Sequence, residues 1–478
     1  MKIILIVLSL VLASGCVGRV APGSDTVTAE RQFDRQKMDN LLSLLSENNK
    51  AILSLEIVEK GKQAYQDQTG FAYYDSMGQK VKADAQTQYR VGSITKMFTA
   101  TLIMQLIEQG KLSLTTPLST FYPEIKNAQE ITIDHMLMHR SGLFNYTADT
   151  GFSEYKYKPQ SQAQMIVRFS SFEPNFKPGK KYSYSNTNYM LLGYIIETIT
   201  GESYQTVLQK KIINKLNLKN TQLGSAIDTD KNQAQSFYFS RGDWQVRNPG
   251  HMSVAFAAGA IISNPHDLNI FSQALMSGKL VSKKSLKQML SSNYGYGRGI
   301  ARYPFNRNGR YCHGLLGLID GFNSALLYFP EDDMSLAVSA NGLALKNFND
   351  DVVDAVLNIY YDRPYELPDF SYQIESLDEK QLGLFVGDFQ FQSPRNRATK
   401  IESTLFLRNG QLFARIPDVH NNDGKALEVS FVATSDRTFF NESEGIQLTF
   451  DTTWYGSINP DRCKVTHNGI DYDFQKAN

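Results

Sequence analysis

The stretch Tyr89–Gly110, YRVGSITKMFTATLIMQLIEQG, constrains this chain more than any other. Ile94, Met97, Phe98, Leu102, Leu106 and Ile107 recur at helical spacing, and the polar residues among them are few and small. That pattern predicts a helix buried on most sides. Val91-Gly92-Ser93 reads as the turn into it, with Ser93 where backbone N–H groups are still unpaired, and Gly110 as the left-handed stop. Lys96 follows Ser93 by one turn and projects on the same face. A lysine in such a helix loses hydration, its pKa falls, and it becomes a base for a serine hydroxyl. Ser93-x-x-Lys96 therefore predicts a nucleophile beside its activator. Spacing alone does not single it out, because Ser153 and Lys156 repeat it in a polar, aromatic-rich stretch with no buried helix after it.

Two further segments carry parts that such a site needs. Phe176 to Tyr189, FKPGKKYSYSNTNY, opens on a Pro-Gly turn and ends at the start of an apolar helix. Tyr184 in it is a phenol that a nearby ammonium would pull towards phenolate, a general base of useful strength. Asn186, two residues on, offers an amide donor and an acceptor to orient a substrate. A tyrosine packed on the core and an asparagine capping the next helix fit the same pattern. The third segment, Tyr311-Cys312-His313-Gly314, lies on a predicted strand after the glycine-rich run Tyr294–Gly299. Alternation puts His313 and Cys312 on opposite faces. Such a strand beside a nucleophile donates a backbone N–H to a developing oxyanion, and glycine lets a substrate approach.

In this order the three segments resemble the serine β-lactamase and penicillin-binding-protein superfamily. More narrowly they resemble its class C β-lactamase-like group, with D-alanyl-D-alanine carboxypeptidases and esterases. Asn127–Leu143 (NAQEITIDHMLMHRSGL) and Ala258–Leu268 (AGAIISNPHDL) are similar to two more segments of that group. The resemblance covers roughly residues 50–360 and implies acyl transfer through an ester on Ser93, with Lys96 as its helix partner and Tyr184 as proton shuttle. It implies that Asn186, His313 and Gly314 bind substrate, that Ser93 and the His313 strand supply the oxyanion donors, and that no metal or other cofactor is needed. His139 and Asp267 fall in segments that it marks as structural. One departure stands out: the family strand reads His-x-Gly and soon Gly-Phe-x-Ser, whereas here His313-Gly314-Leu315-Leu316-Gly317-Leu318-Ile319-Asp320-Gly321-Phe322 puts Leu315 at the glycine and adds two residues. Either the strand bulges and Gly317 takes over the close approach, or Leu315 narrows the cleft.

The remaining bounds fit an exported enzyme. Over 478 residues the net charge is +1 with dispersed basic residues, so nothing suggests nucleic acid and none is expected as a partner. Lys2, the apolar run Ile3–Leu12 and Ala13-Ser14-Gly15-Cys16 make a signal peptide, too short to span a bilayer. Ending on Cys16, it resembles a bacterial lipoprotein signal, although Leu12 lies one place further from the cysteine than usual; a plain secretory signal with an incidental cysteine is the alternative. The expectation is a lipid-anchored envelope protein facing the periplasm or the outside, meeting the membrane through its anchor and taking a small-molecule or peptidoglycan-peptide substrate. Cys312 and Cys463 fall in different domains and read as free thiols.

Along the chain, residues 1–16 are the signal, 17–29 a tether, 30–361 the hydrolase domain, 362–378 a Pro- and acid-rich linker and 379–478 an all-β domain. An amphipathic helix at Glu30–Asn48 precedes strands at Ala51–Val58, Gln63–Gln66 and Gly70–Tyr74. A helical, loop-rich middle follows, and strands return at Tyr294–Ala301, Gly309–Gly314, Phe322–Phe329 and Met334–Asn341. The fold class is an α/β sandwich, an antiparallel sheet flanked by helices with an inserted all-helical part. A small C-terminal barrel-like domain, resembling the lipocalin-like domain of some family members, completes it, with Asn409-Gly410 as a hairpin turn.

Overall fold

The computed structural model describes residues 32–240, 243–305, 310–345, 347–370, 374–392, 400–417, 426–453, 455–467 and 470–477. The signal, Cys16 and the tether lie outside the described residues. The central sheet is assembled from both ends of the hydrolase region. Its strands are β1 (Ala51–Glu59), β2 (Lys62–Thr69), β3 (Ala301–Phe305), β4 (Arg310–Ile319), β5 (Phe322–Phe329) and β6 (Met334–Leu343), in the antiparallel order β3-β4-β5-β6-β1-β2. A hairpin, Phe237–Ser240 with Asp243–Val246, extends it through a parallel pairing of Phe237 with Gly342.

Alternation explains the layers. Leu53, Leu55 and Ile57 of β1 share a face with Leu336, Val338 and Ala340 of β6, and with α1 (Arg35–Glu47) and α6 (Asp354–Tyr360) they form one core. The other face carries Ser54, Glu56, Ser335 and Ser339, all buried. It is covered by α5 (Pro265–Met276), whose Asn269 donates to the Glu56 carbonyl at 3.0 Å and its carboxylate at 2.9 Å. The second of those bonds, with His266 Nδ1 at 2.9 Å from the other carboxylate oxygen, satisfies a carboxylate that would otherwise be costly to bury. Beyond α5 lies a second and larger core around α2 (Thr95–Glu108), α3 (Asn186–Thr200) and α4 (Met252–Gly259), with Phe98 stacked on Phe271 at 3.7 Å. The inserted part, between β2 and β3, is rich in helices but not all-helical, since it also holds short strands such as Tyr89–Arg90, Gln222–Leu223 and Ile261–Ser263, which pair with one another.

Two predicted strands differ. Residues 294–300 form turns rather than a strand, because Tyr294 and Gly295 both adopt left-handed backbone (φ 55° and 77°), which no extended strand continues through, and the strand starts only at Ala301. Phe71–Tyr74 leaves the main sheet and pairs with Lys80–Lys82. From Gly387–Gln392 to Ile470–Lys476, eight strands close into a barrel in chain order, and the Asn409-Gly410 turn has φ of 53° and 72° as a two-residue hairpin requires. Phe385, Phe389, Phe431, Phe439 and Phe450 fill its interior. Cys312 packs in the sheet core and Cys463 in the barrel core; both thiols are free, and burial pushes each up to about 12.

Candidate active site

Ser93 sits in a short 3-10 turn, Gly92–Ile94, that feeds directly into α2. Gly92 has φ 51°, and a Cβ there would stand 2.8 Å from the Leu318 nitrogen, so the turn is left-handed and pressed against β4. Lys96 is fully buried one turn on. Its Nζ lies 2.9 Å from Ser93 Oγ, 2.8 Å from Asn186 Oδ1 and 2.7 Å from the Ala258 carbonyl at the end of α4. Burial holds this amine well below the ordinary lysine range. Asn186 Oδ1 and the Ala258 carbonyl only accept hydrogen bonds. They take both N–H bonds of a neutral amine, so its lone pair is left for the Ser93 hydroxyl.

Tyr184 Oη lies 2.7 Å from Ser93 Oγ on the other side. The sequence suggested a phenol drawn towards phenolate. The structure reverses that, because burial pushes Tyr184 up and the Ser93 hydrogen bond only partly offsets it. At rest Tyr184 is a neutral phenol, beside an amine whose charged form burial disfavours. Asn186 opens α3, its backbone N–H and its Nδ2 donating to Asn145 Oδ1 at 3.0 and 3.2 Å. His139, at φ 53°, stacks on the Tyr184 ring at 4.2 Å between centroids, and its Nδ1 accepts the Ser185 N–H at 3.1 Å. Burial, and then Lys96, hold this imidazole well below its usual range, so it is neutral.

The strand wall differs from the expectation. Pairing of β4 with β5 runs without a register shift from His313–Tyr328 to Ile319–Phe322, so there is no bulge. Asp320 and Gly321, at φ 49° and 89°, make a two-residue turn. In such a hairpin the flanking pair Ile319–Phe322 exchanges both hydrogen bonds, and alternation makes Gly317–Ser324 the next bonded pair. The N–H and C=O of Leu318 therefore point away from β5. One pair back, the Leu316 amide donates to the Tyr303 hydroxyl. Gly317 makes the close approach, since a Cβ there would collide with the Val91 carbonyl oxygen and with Ser324 Oγ, which itself bonds that carbonyl at 2.9 Å.

Ser93, Lys96, Tyr184 and Asn186 thus converge, whereas His313 and Gly314 do not join them. His313 lies four residues from Gly317, roughly 13 Å along a strand, half-buried opposite Arg302 and Tyr328. Gly314 is a glycine because a Cβ would collide with the Leu326 carbonyl of β5. The buried residue two places before Gly317 is Leu315. Asn145, the Ala258 carbonyl and the Leu318 amide escaped the sequence reading. Asn145 was findable as the first polar side chain after the Ser141-Gly142-Leu143 turn, but the two backbone groups carry no residue-type signal. Among the described residues no group of three or more His, Cys, Asp or Glu side chains could hold a metal.

The beta-lactamase family model matches residues 40–358. A candidate penicillin-binding protein of Bacillus subtilis, PbpX, is 29% identical over 259 residues, 53% of this chain and 62% of that protein. A teichoic acid D-alanine hydrolase of Staphylococcus aureus is 26% identical over 291 residues, 60% of this chain and 70% of its own length. Among solved structures, a D-stereospecific amidohydrolase from a Streptomyces species superposes with a TM-score of 0.56 and 27% identity, covering 65% of this chain and 95% of that one. The chain thus spans less than two thirds of one curated relative and slightly more of the other.

Proposed function

The chain belongs to the beta-lactamase family, and from that premise we propose that it is an exported serine hydrolase that cleaves D-aminoacyl esters or amides through an ester on Ser93. The carrying observation is the position of Ser93 Oγ, 2.9 Å from a buried lysine amine and 2.7 Å from a phenol. Two of the named relatives are described as a teichoic acid D-alanine hydrolase and a D-stereospecific amidohydrolase, which favours that acyl group. A peptidoglycan D-alanyl peptide and a β-lactam present the same kind of acyl carbon. Lys96 takes the Ser93 proton as Oγ bonds to that carbon. The oxyanion receives the N–H groups of Ser93 and Leu318, and Tyr184 hands a proton to the departing alcohol or amine, recovering one from the ammonium. Water then attacks the ester by the reverse relay, releasing the acid and restoring the Ser93 hydroxyl. Export and a lipid anchor at Cys16 belong to the same reading, supported by the signal-like sequence alone.

Intact-mass measurement after incubation with a fluorophosphonate tests the nucleophile. The expected result is one adduct that Ser93→Ala abolishes. An equal adduct in that variant, or none in the wild type, would sink the assignment and favour a protein that binds cell-wall material without turnover.

A further inference from the structure

Beneath the site a buried ion pair joins the elements that carry its parts. Arg90, three residues before Ser93, places Nη1 3.1 Å from Asp320 Oδ2 in the β4–β5 turn, with side-chain exposures of 2% and 14%. Nη1 also donates to the Gly250 carbonyl at 3.0 Å and Nη2 to the Ser225 carbonyl at 3.0 Å, while Nε is buried without a hydrogen-bond partner. The same carboxylate oxygen accepts the Gly250 N–H at 2.9 Å, and Ser236 Oγ donates to the Asp320 carbonyl at 2.5 Å. Gly250 immediately precedes His251, the N-cap of α4, and α4 ends by offering the Ala258 carbonyl to Lys96.

We propose that Arg90 and Asp320 are positioning residues for acyl transfer, clamping the β4–β5 turn, the Ser93 turn and α4 so that the Leu318 N–H faces the oxyanion. The inference rests on the reading of Ser93 as nucleophile. Covalent connection is short on each arm: Arg90 to Ser93 is three residues, and Asp320 to Leu318 is two. Without the clamp the spacing of the two amides is left to the Ser324 Oγ–Val91 carbonyl hydrogen bond and to packing of Gly317 on Val91, and an oxyanion donor works only within a few tenths of an ångström of its place.

The test compares wild type, Ser93→Ala and Asp320→Asn on a p-nitrophenyl ester, with active-site titration by fluorophosphonate to count folded enzyme. Asp320→Asn keeps the shape and loses the charge. The expected result is a fall in kcat of about tenfold to a hundredfold per titrated site, a fraction of what deleting a donor outright costs. KM changes little, a tetrahedral boronic acid binds more weakly by a similar factor, and the pH profile keeps its shape because Lys96 and Tyr184 are untouched. If Asp320→Asn does not fold, Ser236→Ala removes one bond to the same turn, and a severalfold loss in kcat alone is expected. Folded Asp320→Asn (or, in its place, Ser236→Ala) with kcat unchanged, a loss confined to KM, or a displaced pH profile would overturn the proposal. A wild type whose hydrolysis survives Ser93→Ala would instead overturn the reading beneath it.

Discussion

On one side of Ser93 stand side chains and on the other stands backbone. Lys96, Tyr184 and Asn186 reach the hydroxyl region from α2 and from the segment that opens α3, with donors and acceptors matched at 2.7–2.9 Å. Across from them β4 brings an amide, glycine at the closest approach and a buried Leu315. The helical wall works through which atoms are present, so conservative deletion stops the chemistry and leaves the packing. The strand wall works through where the chain runs, so it is sensitive to added volume and to the clamp at Asp320, and indifferent to the identity of most of its side chains.

The comparison breaks first at Lys96. Replacing it with alanine removes the proton acceptor, and kcat/KM should fall about a thousandfold or more, the upper part of the range for general-base catalysis. The working form is the neutral amine, and burial lowers its pKa, so activity of the wild type is lost as pH falls through that lowered value and is retained above it. Tyr184 is raised and stays protonated through the neutral range. A kcat/KM profile that instead declined with rising pH across neutrality would show the ammonium to be the working form. Tyr184→Phe keeps the ring stacked on His139 and removes only the relay, so a loss of about a hundredfold with an unchanged melting temperature is expected. A variant within threefold of wild type would take Tyr184 out of the proton path.

Gly317→Ala tests the strand wall by volume alone. Its Cβ would stand 2.0 Å from the Val91 carbonyl oxygen, a backbone atom, and 2.4 Å from Ser324 Oγ. We expect a loss of about 1–3 kcal/mol of stability from overpacking, and a fall in kcat of tenfold or more as β4 moves off the Ser93 turn. Thermal denaturation and steady-state kinetics on one preparation read both. Normal kcat in a destabilised variant would show that the Leu318 amide is not a donor.

These two walls were unequally legible in the sequence. Ser93, Lys96 and Tyr184 declare themselves by chemistry that is odd for their setting, a lysine in an apolar helix above all. The antiparallel sheet and the closed barrel were legible from alternation and from turns such as Asn409-Gly410. The sequence reading of the strand wall went to His313 because a reactive side chain attracts attention, whereas the group we propose there is a main-chain N–H that every residue but proline owns. Its signal lay in geometry, in a two-residue turn at Asp320-Gly321 that sets which amides face outward. Arg90 was passed over for a related reason: a lone arginine before a buried helix reads as surface charge until its partner, distant in sequence, is seen.

The smallest expected effect is therefore the sharpest test of that correction. His313 shares a face of β4 with Leu315 and Gly317 but stands roughly 13 Å from the close approach, paired across the sheet with Arg302 and Tyr328. Burial, and next Arg302, lower its pKa, so near neutrality it is an uncharged ring with no charge to offer a substrate carboxylate. His313→Ala should leave kcat/KM for the ester within about threefold, shift no limb of the pH profile and cost little beyond the lost packing of a half-buried ring, on the order of 1 kcal/mol. A loss approaching that of Lys96→Ala, or a KM rise confined to substrates with a free carboxylate, would return His313 to the cleft and show that substrate reaches further along β4 than the Leu318 amide.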